Sequence, residues 1–123
     1  LEHNDVIGLG KHLILSLFTP GHYFDSICYW IKSKDIIFTG DTMFVGRTGR
    51  TISNGSDIKK LYNSTYNILL KLPLKTIIYP GHHYGFSKEI SLRNNIKHSD
   101  FFNCKNFSEF DLVMKKFEKT RNS

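Results

Sequence analysis

The chain has 123 residues, with 17 Lys and Arg against 11 Asp and Glu for a net charge of +6. Hydrophobic residues make up 40 % and aromatic residues 14 %, which fits one globular domain with a real core and excludes a disordered chain. No stretch approaches the roughly 18 consecutive apolar residues of a membrane span, and no signal peptide is visible.

The two cysteines, Cys28 and Cys104, form no spaced pair and read as reduced thiols of an intracellular protein. Basic residues are scattered, the densest run being "MKKFEKTR" near the end, so neither nucleic acid nor membrane is expected as a partner.

"DVIGLG" reads as a short strand running into a Gly-x-Gly turn, and "KHLILSLF" as a strand stopped by Thr-Pro-Gly. "DSICYWI" is the next strand, with Cys28 a small buried hydrophobe among Ile27, Tyr29 and Trp30. "KSKD" is a polar hairpin turn and "IIFTGD" a buried strand ending in Gly-Asp. From Thr42 to Ser56 runs a glycine-containing loop with Arg47 and Arg50.

A helix follows, with Ser56 as the expected N-cap before Asp57. Ile58, Leu61, Tyr62, Thr65, Leu69 and Leu72 recur at helical spacing until Pro73. Lys59 and Lys60 fall on the wet face of this helix. "KTIIYPGH" is a further strand broken by Pro-Gly. A polar helical stretch is expected near residues 87–97, then an amphipathic helix carrying Phe107, Phe110, Met114 and Phe117. This order of strands, helix, strand and helix predicts an α/β (α+β) sandwich with helices against one face of a mixed sheet.

Three apolar strands thus end in glycine followed by a side chain that can ligate metal: Gly21-His22, Gly40-Asp41 and Gly81-His82. Glycine allows a sharp turn at a strand end, and the next side chain then projects from the rim. Taken singly, each is more often a loop histidine, or an aspartate bonding its own turn, than a ligand. Taken together, two imidazoles and a carboxylate suit zinc or iron. His3, His12 and His98 have no such context and read as surface residues, while His83 reads as a support for the ligands.

"TPGH", "IFTGDTMFVGRTGR" and "YPGHHYG" resemble, in order, the third to fifth motifs of the metallo-β-lactamase superfamily. The nearest likeness is to the glyoxalase II (hydroxyacylglutathione hydrolase) and persulfide dioxygenase branch. The helix "LYNSTYNILLKLP" and the closing "FSEFDLVMKKF" also resemble that branch, so the likeness covers nearly the whole chain. It implies an αββα sandwich, of which residues 1–123 form the C-terminal half. It also implies metal ligation by His22, Asp41 and His82, with Asp41 the catalytic carboxylate, and one or two Zn2+ or Fe2+ ions per complete site. Arg50 and Tyr84 would contact a glutathione-type thiol conjugate. The implied reaction is thioester hydrolysis, the alternative an iron-dependent persulfide dioxygenase.

The sequence departs from the family pattern in several places. Tyr23 replaces a threonine, Ile52 replaces the aspartate of Gly-Arg-Thr-Asp, and His83 replaces an aspartate after the last motif. The loss at Ile52 leaves the hydrogen bonds that support the loop unassigned. The family's His-x-His-x-Asp-His motif is absent from these 123 residues, and the first residue is Leu1 rather than methionine. A truncated or non-catalytic piece, completed by self-association or by a missing N-terminal half, is therefore the alternative to an enzyme complete in itself. Cytoplasmic location is expected, or an organelle where a missing N-terminus carries a targeting segment.

Overall fold

The computed structural model describes residues 6–9, 12–83, 85 and 87–121. One six-stranded sheet runs in chain order β1 (Val6–Leu9), β2 (His12–Phe18), β3 (Ile27–Ile31), β4 (Ile36–Gly40), β5 (Ile77–Pro80) and β6 (Ile90–Ser91). All neighbours pair antiparallel except β4 and β5, which are parallel. Parallel neighbours need a long crossover, and here it carries the 42–56 loop and α1 (Ile58–Asn67). After β5 come α2 (Leu92–Lys97) and α3 (Phe107–Arg121).

The pleat sorts the strands into two faces. Leu17 faces Cys28, Trp30 faces Ile37, and Ile37 faces Ile78 across the sheet, and all five lie on the side that the helices cover. Leu61, Leu69, Leu92, Phe110 and Met114 close over them, each no more than 1 % exposed. Ser16, Tyr29, Phe38 and Tyr79 form the corresponding row on the opposite face. There Phe38 is 45 % exposed and Phe18, two residues beyond Ser16 on β2, is 41 % exposed.

Most expected elements are present, with four local differences. Asp57 rather than Ser56 caps α1, its carboxylate accepting from the Lys60 N–H, because the Ser56 hydroxyl donates instead to the His22 carbonyl. The α-helix stops at Asn67 and the chain tightens into a 3-10 turn at Leu69–Lys71 before Pro73. "KSKD" is a 3-10 turn closed by Asp35 in the left-handed region. Within residues 87–97, a two-residue strand precedes α2 because Ile90 pairs with Ile78 at the sheet edge.

Candidate metal centre

Strand direction explains why three distant turns meet. β3 is antiparallel to both β2 and β4, so β2 and β4 run the same way, and β5 runs parallel to β4. All three therefore finish at one rim of the sheet. Pro80 lies beside Gly40, and the Gly81 N–H donates to the Gly40 carbonyl at 2.8 Å. Asp41 and His82 consequently leave the sheet side by side. The chain after β2 crosses above β3 and brings His22 to the same carboxylate.

Gly21 sits at φ +143°, and a Cβ there would lie 2.2 Å from the Cα of Leu61. The turn before His22 thus presses against the backbone of α1, which only glycine permits. The Asp57 N–H donates to the Gly21 carbonyl at 2.7 Å, and the Ser64 hydroxyl donates to the Pro20 carbonyl at 2.7 Å. Helix and turn are locked together by these contacts. The sharp-turn role expected of all three glycines holds for Gly21 and Gly40, both at positive φ, while Gly81 is absent from the positive-φ residues.

The His22 ring is oriented from behind. Its Nδ1 lies 2.7 Å from the carbonyl oxygen of Arg50. A carbonyl can only accept, so Nδ1 carries a proton, and in the neutral ring the lone pair is on Nε2. Nε2 faces Asp41, 3.9 Å from Oδ2. His82 approaches the other oxygen, Nδ1–H donating to Oδ1 at 2.8 Å. His22, Asp41 and His82 side chains are 30 %, 40 % and 55 % exposed, so the cluster opens to solvent.

The structure thus brings the three expected ligands together around one carboxylate. Each imidazole meets its own oxygen of Asp41, and no group of three His, Cys, Asp or Glu side chains among the described residues forms a metal-holding set by itself. The donor chemistry nonetheless fits zinc or iron. It comprises two imidazoles and a carboxylate at one rim, with one imidazole already held through its second nitrogen by a backbone carbonyl, as metal-bound histidines usually are.

The two arginines separate. The Arg47 guanidinium stacks between the rings of Phe44 and Phe117, 4.7 and 4.8 Å from their centroids, and donates to the Thr48 carbonyl. It is a wedge of the fold rather than a candidate for substrate. Arg50 contributes its carbonyl to His22, and its side chain is half-buried. Tyr84 lies outside the described residues, and His83 is exposed.

Sequence reasoning missed the buried Asn95, whose Oδ1 accepts from the Gly46 N–H at 2.7 Å while Nδ2 donates to the Phe44 carbonyl at 2.9 Å. With Ser99 donating to the Gly46 carbonyl, it holds the loop that follows Asp41. A lone Asn on a polar helix carries no sequence signal for that job.

The profile of the metallo-beta-lactamase superfamily matches residues 1–82. The chain belongs to the metallo-β-lactamase superfamily. A hydroxyacylglutathione hydrolase of Dictyostelium discoideum is 33 % identical over 108 residues, covering 79 % of this chain and 40 % of that protein. The probable polyketide biosynthesis zinc-dependent hydrolase BaeB of Bacillus velezensis is 29 % identical over 110 residues, covering 89 % and 48 %. The crystal structure of ETHE1 from Myxococcus xanthus superposes with a TM-score of 0.85 at 33 % identity, covering 95 % of this chain and 51 % of that one. The chain therefore spans about half the length of the relatives it matches, and it carries the metallo-β-lactamase fold. No helix among the described residues is long and apolar enough to cross a membrane.

Proposed function

We propose that this chain provides the His22–Asp41–His82 side of a metallohydrolase that cleaves a glutathione thioester. One observation carries the reading: three like-directed strands deliver two imidazoles to one carboxylate, with the His22 tautomer set by the Arg50 carbonyl. The kinship with a hydroxyacylglutathione hydrolase supports the substrate class. His22 through Nε2, Asp41 and His82 would hold zinc or iron. When bound, such an ion lowers the pKa of a coordinated water and polarises a thioester carbonyl. Asp41 would orient the two imidazoles relative to each other, and the Arg50 guanidinium would bind the carboxylates of the thiol conjugate.

Three donors are few for a catalytic ion, so we further propose that the remaining ligands come from an N-terminal half bearing His-x-His-x-Asp-His. Residues 1–123 by themselves would then be inactive. The exposure of Phe38, 45 % on the sheet face away from the helices, supports this, since exposed apolar patches often mark an interaction site.

The likeness to ETHE1 favours a second reading, an iron-dependent persulfide dioxygenase using the same His22 and Asp41. Metal analysis with paired assays decides between the two. The complete protein is purified and tested on a glutathione thioester and on glutathione persulfide, each against a His22→Ala control. Hydrolysis that falls by ~100-fold or more in the control supports the first reading. Oxygen consumption with persulfide and a single iron supports the second, and equal rates in wild type and control refute both.

A further inference from the structure

The Arg50 carbonyl that holds His22 belongs to the same peptide unit as the Thr51 N–H. In a planar trans peptide these two groups point in opposite directions and move as one body. The N–H end is itself held, donating to Oε2 of Glu118 at 2.7 Å, and the Thr51 hydroxyl donates to the same oxygen at 3.2 Å. Glu118 lies on α3, 67 residues along the chain from Thr51. A carboxylate, a peptide plane and an imidazole therefore stand in line, with both ends of the peptide occupied.

We propose that Glu118 is a positioning residue for His22: it anchors the Arg50–Thr51 peptide so that its carbonyl fixes the imidazole in the Nδ1–H form. The inference rests on the metal-ligand reading of His22 for its purpose, but not for its geometry. A charged acceptor on the N–H also polarises the amide and makes its carbonyl a better acceptor for the ring. The preceding residue of α3 reinforces the anchor, because Phe117 stacks on Arg47 of the same loop. The departure at Ile52 is thereby resolved. This loop takes its supporting carboxylate from the last helix instead of from its own next residue, and Ile52 is 52 % exposed.

The test compares Glu118→Gln, which keeps an oxygen acceptor, with Glu118→Met and Glu118→Ala, which do not. Met keeps the length and packing of the side chain, so it remains informative should Ala unfold. The first readout is the tautomer of His22 in the full chain, taken from its two 15N ring shifts under conditions where the ring is neutral. Wild type and Gln are expected in the Nδ1–H form, with Met and Ala showing a mixture of both forms. A Met variant with the wild-type tautomer, or a wild type in the Nε2–H form, overturns the proposal.

The second readout is zinc affinity by competition. It should weaken by about 10–100-fold in the Met variant and stay close to wild type in Gln. Zinc that binds no variant refutes the metal reading of His22, and the tautomer result still decides the role of Glu118. Tight zinc binding with an unchanged tautomer refutes the role of Glu118 alone.

Discussion

Gly49 lies where the 42–56 loop passes over the candidate site, and replacing it with alanine tests whether that close passage organises the site. A Cβ built there falls 2.0 Å from the Asp41 carbonyl oxygen and 2.7 Å from Nδ1 of His22. Ordinary van der Waals contact begins at 3.4 Å, so the loop and the rim must separate by more than an ångström. The loop cannot retreat cheaply, because the Gly49 N–H donates to the Thr42 carbonyl at 3.0 Å. Overpacking of this kind costs ~1–3 kcal/mol. The separation also breaks the 2.7 Å bond from His22 to Arg50, which adds ~0.5–1.5 kcal/mol.

Together these predict a loss of about 2–4 kcal/mol. At roughly 4 °C per kcal/mol for a chain of this size, Tm should fall by about 8–16 °C. Zinc affinity should fall by about 10–100-fold, since the orienting partner of a ligand is displaced. Ser53→Ala, exposed on the same loop, serves as the control and should stay within ~0.5 kcal/mol. Thermal melting by circular dichroism and zinc competition read the two effects. A Gly49→Ala protein with the Tm and zinc affinity of the control would refute the argument that the loop orients His22.

Asn95→Leu should cost about 2–4 kcal/mol, because it leaves the buried Phe44 carbonyl and the Gly46 N–H without their partner; chemical denaturation measures it, and a loss below about 1 kcal/mol would show that the loop finds other partners. Cys28 is fully buried and its thiol is pushed up to about 11, mainly by burial. Burial thus disfavours the reactive thiolate and also shields the sulfur from reagent. Alkylation of the native protein, followed by mass spectrometry, should mark Cys104 long before Cys28, and comparable native rates would contradict the burial. In strong denaturant the two should react alike.

The strands, the long helices and the three ligand turns were legible because each has a local cause. Apolar runs bounded by Thr-Pro-Gly, Thr-Gly-Asp and Tyr-Pro-Gly mark strand ends, and the pleat and helical periods of Leu17, Cys28, Ile37, Leu61 and Phe110 mark the covered face. What stayed hidden depends on distant pairs. Glu118 looks like one more charge on an amphipathic helix until its carboxylate meets Thr51. Ser56 looks like a cap until its hydroxyl is seen turned to His22, leaving the cap to Asp57. Arg47 and Arg50, three residues apart in similar Gly-Arg-Thr contexts, receive different tasks because Arg47 lies between the Phe44 and Phe117 rings. Two residues are too short to show a period, so β6 was invisible as well.

The rim and the outer face belong to the same sheet, and this ties the proposed further donors to the exposed aromatics. Tyr29, Phe38 and Tyr79 stand in register across β3, β4 and β5, with the Phe38 and Tyr79 rings 5.7 Å apart. Asp41 and His82 follow directly from β4 and β5, within three residues of Phe38 and Tyr79. Any layer that packed on that face would therefore end beside the candidate ligands, and loops at its near edge could reach them. A layer on the helix side could not, because α1 and α3 already fill it. If the chain is one half of the site, as proposed, its half-exposed aromatic face and its set of three candidate ligands would call for one and the same complement. A variant that makes the face polar, Phe38→Lys, should accordingly weaken association with that complement and zinc retention together, although Phe38 touches no proposed ligand. Zinc retention unchanged while association is lost would separate the two and break the argument.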